Sequence, residues 1–97
     1  MGGLVYRTFT EPLPRVRVAV LDAFKRMGIE PGKTEKMELG ERLLARAGNR
    51  DIEIELEALT PKATRMRAVA RKDGGIVVDS ATAVEIINQT EQSISHR

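Results

Sequence analysis

The sequence predicts an α+β domain: a two-layer sandwich in the order βαβββα, an antiparallel meander with two helices packed on one face. Residues 51–57, Asp-Ile-Glu-Ile-Glu-Leu-Glu, alternate strictly, so Ile52, Ile54 and Leu56 share one face of a strand and the four acids share the other. The same alternation returns over 64–71, after a break at Thr60-Pro61-Lys62, and it is preceded by 43–47 and the turn-forming pair Gly48-Asn49. Two further segments repeat apolar residues every three or four positions. Two amphipathic helices beside a half-polar sheet bury their stripes most simply by lying together on its apolar face.

The elements follow in order. Leu4 to Phe9, with Val, Tyr and Phe, reads as a strand, at an edge because it is near the terminus. Leu13, Val16, Val20, Ala23, Phe24 and Met27 form the stripe of a helix from Leu13 to Met27. Thr10 is the expected N-cap, Pro12 and Pro14 fit a first turn where a missing N–H costs little, and Gly28 supplies a left-handed stop. Ile29 to Leu39, with a turn at Pro31-Gly32, reads as a loop leading into a strand. Lys72-Asp73-Gly74-Gly75 ends the meander, after which Ile76-Val77-Val78 continues extended or packs under the last helix. Asp79 or Ser80 caps that helix, which carries Ala83, Val84, Ile87 and Ile94 on its stripe from Ala81 to about Ser95.

A turn at Gly48-Asn49 sets Ala45 opposite Ile52 and Leu43 opposite Ile54, and outside it sets Arg46 against Asp51 and Arg42 against Glu55. Pairing Leu56 with Met66 then sets Glu57 against Arg65, Glu55 against Arg67 and Asp51 against Arg71. The acidic strand is flanked by arginines on both sides. Each exposed pair is worth only about 0.2–1 kcal/mol, so the ladder specifies register more than it stabilises. A slip of one residue would bury carboxylates, which costs far more.

The 97 residues suit one domain, residues 4–95, and the 41% hydrophobic content fills a modest aliphatic core. Met1-Gly2-Gly3 reads as an expression scar or a disordered start. The only aromatic residues are Tyr6, Phe9 and Phe24, too few for a platform of stacked rings under a nucleobase or sugar. Sixteen basic and 14 acidic residues leave a net charge of +2 with no strongly one-signed block, which disfavours a nucleic-acid partner. Absence of cysteine excludes disulfides, thiol catalysis and thiolate metal sites. No apolar run approaches the roughly 20 residues that span a bilayer.

The order Leu4-Val5-Tyr6-Arg7-Thr8-Phe9, Pro12-Leu13 through Ala19 and Leu21, Met27-Gly28-Ile29, Gly40 with Leu43 and Ala45, Ile52-Glu53-Ile54-Glu55-Leu56 and Thr64-Arg65-Met66-Arg67 resembles a family of small bacterial domains of unknown function. The resemblance covers most of residues 4–94 and lies in apolar spacing and turn positions. Members are commonly predicted envelope lipoproteins with a βαβββα domain behind a lipidated cysteine. The resemblance thus implies a periplasmic or cell-envelope location, with a cytoplasmic location as the alternative, and it implies no catalytic residues. This chain departs from the pattern in lacking that cysteine and in placing Val78 before Asp79, where a Gly-Asp step is usual.

Individual residues point the same way. His96, the only histidine, is second from the end and without the partners a metal site or dyad needs. Glu53, Glu55 and Glu57 share a face, but arginine neighbours favour the ionised form, whereas a catalytic acid needs the neutral one. Asp73-Gly74-Gly75 lacks the lysine and hydroxyl of a phosphate loop. Arg15, Arg17, Lys25 and Arg26 make the solvent side of the first helix basic, the one candidate partner-contact face. The expectation is a non-enzymatic accessory or interaction domain, without cofactor or metal, facing a protein partner or a membrane surface. The alternatives are a cytoplasmic regulatory or nucleic-acid-binding module using that basic face, and a small-ligand carrier with its pocket beside Ala45, Ala68 and Ala70. An edge strand also offers a route to a homodimer.

Overall fold

The computed structural model describes residues 5–95. Met1-Gly2-Gly3, Leu4 and His96 lie outside the described residues. The elements are β1 (Val5–Phe9), α1 (Leu13–Met27), β2 (Glu30–Met37), β3 (Gly40–Ala47), β4 (Arg50–Thr60), β5 (Ala63–Lys72), β6 (Val77–Val78) and α2 (Ser80–Ser95). The strands form one antiparallel sheet in the order β1-β5-β4-β3-β2, and β6 pairs with β5 beyond the end of β1. Both helices lie on one face, α2 over β5 and β1 and α1 over β4, β2 and β5, and they pack against each other. This is the predicted α+β sandwich, with the first strand at an edge beside β5.

The central register is the expected one, with Ala45 opposite Ile52, Leu43 opposite Ile54, Leu56 opposite Met66 and Ile54 opposite Ala68. Alternation turns Ile52, Ile54, Leu56, Met66, Ala68 and Ala70 to the helices, where all are buried. They meet Val16, Val20 and Phe24 of α1 and Ala83, Ile86 and Ile87 of α2. The small residues Ala45, Ala68 and Ala70 are part of this filled layer. Thr64, also fully buried, donates its hydroxyl to the Glu11 carbonyl at 2.8 Å and so pins the start of α1 to β5.

Four local readings need correction. Glu30–Met37 is a strand, so the meander has one strand more than the predicted order contains. Only one β2 residue, Glu35, is even half-buried, and hydrophobic alternation is therefore absent. Its hairpin turn, Glu38-Leu39, carries none of the glycine, asparagine or aspartate that announce two-residue turns. Thr10 does not cap α1. The N-cap is Pro12, extended at φ −63° and ψ 151°, and its carbonyl accepts the amides of Arg15 and Val16 while no side chain caps the end.

At Gly48-Asn49 only Gly48 takes positive φ, 59°. On α2 Ile86 is buried beside the expected Ala83 and Ile87, while Val84 is exposed. The helix starts where expected because Asp79 accepts the Thr82 amide on Oδ1 at 3.1 Å and the Thr82 hydroxyl on Oδ2 at 2.6 Å. Gly28 ends α1 at φ 70°, and the Ile29 amide returns to the Phe24 carbonyl at 2.8 Å. Of Ile76-Val77-Val78, Val77 and Val78 take the extended alternative as β6, while Ile76 belongs to the turn before it.

Candidate functional site

The four basic residues of α1 do not converge. At about 100° per residue, Arg15 and Arg26 fall on one flank of the helix and Arg17 on the other, with Lys25 pointing outward between them. Arg26 reaches α2, donating Nε to Gln89 Oε1 at 3.0 Å and Nη2 to the Gln89 carbonyl at 2.6 Å. Arg17 reaches β3, where its Nε and Nη2 grip both carboxylate oxygens of Glu41, Nη2 at 2.8 Å. That fork raises the Arg17 pKa, mainly through the hydrogen bond to Glu41. Arg15 pairs with Glu11 at 3.2 Å. Among the described residues, only Lys25 of the four is left without a hydrogen-bond or ion-pair partner. The cations tie the helix to its neighbours more than they present charge to a ligand.

The outer face of the sheet carries the ladder. Arg42 bonds Glu55 at 3.1 Å and Glu35 at 3.2 Å and lies 3.4 Å from Glu53. Hydrogen bonds that Arg42 donates to Glu55, then to Glu35, raise its pKa above the ordinary value. Arg67 closes the network from the other side, on Glu55 and, at 3.3 Å, on Glu53. Arg65 bonds Glu57 at 2.6 Å and lies over the exposed Tyr6 ring, 5.9 Å from its centroid. Arg46 meets Asp51 at 3.0 Å.

Glu53 departs from the simple ladder. Its direct cross-strand neighbours are Leu44 and Val69, so its arginines reach it diagonally. Val69 is buried on this otherwise wet face. Glu35, on a strand that no apolar alternation announces, joins the network by lying opposite Arg42.

A second ion pair staples the far end. Arg50 Nε meets Asp79 Oδ2 at 2.6 Å, and the Asp79 side chain is only 10% exposed. The Arg50 bond first, then those from the Thr82 hydroxyl and amide, hold the Asp79 carboxyl far below the usual carboxylate range. Among the described residues no group of three or more His, Cys, Asp or Glu is placed to hold a metal ion. Nor is any described helix long and apolar enough to cross a membrane.

Large apolar side chains stand in water at both ends of the sheet. At the end holding the β2–β3 and β4–β5 turns, Met37, Leu39 and Leu59 are exposed, Leu39 to 59%. The β2–β3 turn is tied to β4 because the Ala58 amide donates to the Leu39 carbonyl at 2.8 Å. A register shift between Ala58 and Thr60 marks Leu59 as the extra residue of a bulge. Beside them lies a shallow cleft of about 290 Å³ lined by Met37, Glu38, Leu39, Gly40 and residues 55–57. Its bed is tight: a Cβ on Gly40 would come within 1.8 Å of the Leu56 carbonyl oxygen.

At the opposite end Ile76 is 84% exposed, held out by three successive positive φ angles at Asp73, Gly74 and Gly75. Asn49 braces this turn through Asp73 at 3.2 Å. Sequence alone marked neither group, because exposure of Leu39, Leu59 and Ile76 depends on how the turns sit. No protein-family model matches the sequence, and no curated protein matches it.

Proposed function

We propose that the chain is a non-enzymatic accessory or interaction domain of a bacterial cell-envelope protein, meeting a protein partner through Met37, Leu39 and Leu59. The observation that carries the interaction reading is that three large apolar side chains stand in water at one end of the sheet, on the end of β2, its turn and the bulge of β4, with that turn tied to β4. Glu38, in the same turn as Leu39, edges the cleft with charge and gives the surface an apolar centre and a polar rim, the anatomy of a protein interface. The envelope part of the proposal rests on the resemblance in apolar spacing alone.

The rival readings draw less support. Three of the four α1 cations already hold partners in the fold, two of them carboxylates, which leaves less for phosphates. The layer between sheet and helices is filled by Phe24, Ile54, Leu56, Met66, Ile86 and Ile87, where a carried ligand would sit.

A photo-crosslinking residue at position 39, with a control at Glu85 on α2, tests the contact in native cells. A discrete adduct from position 39 alone is expected; none, or equal yield from both positions, overturns the contact. Fractionation of those cells tests the location, and recovery in the cytosol overturns the envelope assignment. Salt-sensitive micromolar binding of a labelled oligonucleotide would put the nucleic-acid reading in its place.

A further inference from the structure

The sheet has two edges, and they are not treated alike. β2 carries the devices that keep an edge from pairing with another chain: Pro31, which has no N–H to give, a register shift between Pro31 and Thr34, and two lysines, Lys33 and Lys36. β1 has none of these. Its five residues, Val5-Tyr6-Arg7-Thr8-Phe9, pair with β5 in one unbroken register from Val5–Ala68 to Phe9–Thr64. Its single cation is neutralised within the fold, since Arg7 on the helix side bonds Glu91 and, at 3.3 Å, Asn88 Oδ1 of α2. No described strand lies on its far side, so alternate amides and carbonyls of β1 face outward. Tyr6 stands beside them, 54% exposed.

We infer that β1 is a self-pairing edge, joining two copies of this chain across a two-fold axis into one continuous antiparallel sheet. The strand is complementary to itself. An antiparallel pair that keeps the helices of both copies on one side must oppose residues of like face. Of such registers, only the one centred on Arg7 pairs all five residues. It sets Val5 against Phe9 of the second copy on the helix side, apolar on apolar, and Tyr6 against Thr8 on the outer side. At the axis the two Arg7 side chains lie opposite each other, and each is neutralised by its own Glu91, which offsets the repulsion that like charges directly opposite would otherwise bring. The interface shares no residue with the Met37–Leu59 end and goes beyond the function proposed there.

Sedimentation equilibrium on the full chain from micromolar to millimolar concentration tests the inference, with hydrogen exchange as a site-resolved check. A reversible dimer is expected, with slowing of β1 amide exchange as concentration rises. Glu91→Arg places four cations at the axis and should weaken the dimer by at least about tenfold, since like charges brought together at an interface are strongly repelled. The double variant Arg7→Glu with Glu91→Arg restores one neutralised pair in each copy and should recover the dimer. Both changes are at exposed side chains, and circular dichroism of each variant confirms that the monomer folds. A chain that stays monomeric throughout overturns the inference. So does a dimer indifferent to Glu91→Arg, or one that the double variant fails to recover.

Discussion

β4 and β2 belong to one sheet, yet they are strands for different reasons. β4 is written in its own residues: Ile52, Ile54 and Leu56 alternate with acids, and the apolar set is buried under the helices. β2, Glu-Pro-Gly-Lys-Thr-Glu-Lys-Met, has no such pattern and is almost wholly exposed. It is a strand because β3 offers it a ladder and because Ile29, buried at the end of α1, launches it along that edge. The difference teaches that a central strand is specified by what it buries, whereas an edge strand can be specified by its neighbour and by what it must not do.

Truncation should separate the two most sharply. Ile54→Ala leaves a cavity in the filled layer and should cost about 2–5 kcal/mol in chemical denaturation. The hinge between the regions comes next. Gly40→Ala places a Cβ 1.8 Å from the Leu56 carbonyl, a backbone atom that cannot swing aside. Overpacking of this kind costs on the order of 1–3 kcal/mol, and hydrogen exchange should show the loss concentrated in β2 and β3.

The Arg50–Asp79 staple ties the β4 end to α2, and it is sensitive to pH. Asp79→Asn keeps a capping oxygen but removes the charge, with an expected loss at neutral pH of about 1 kcal/mol. The native carboxyl titrates below its unfolded value of about 3.9, so its contribution is complete above that value. It is lost as the pH falls through 3.9 towards the lower native value. The stability gap between wild type and Asp79→Asn should therefore be constant near neutrality and narrow below about pH 4.

Smaller effects fall on the ladder. A double-mutant cycle on Arg65 and Glu57 should give a coupling of about 0.2–1 kcal/mol, shrinking with added salt. Smallest of all, Lys36→Ala in β2 should stay within about 0.5 kcal/mol of wild type. A loss from Lys36→Ala comparable to that from Ile54→Ala would erase the distinction between the two strands.

The candidate surfaces follow the same division. Arg15, Arg17, Lys25 and Arg26 look alike in sequence, four cations on one helix. Their roles differ because Glu41 and Gln89, 24 and 63 residues away, lie beside Arg17 and Arg26 only once the chain is folded. Leu39 of the β2–β3 turn and Leu59 of the β4 bulge likewise come to the same end of the sheet only once Ala58 bonds the Leu39 carbonyl.

The residues by themselves determined the α+β class, the extent of α1 and the register of β3, β4 and β5. They could do so because a side-chain period of two permits one arrangement that keeps Ile52, Ile54 and Leu56 dry and the carboxylates wet. The tertiary structure alone decided that Glu30–Met37 is a strand, that β1 lies against β5, and which charges are spent on the fold. Those outcomes depend on groups far apart in the chain, whose meeting no local period records.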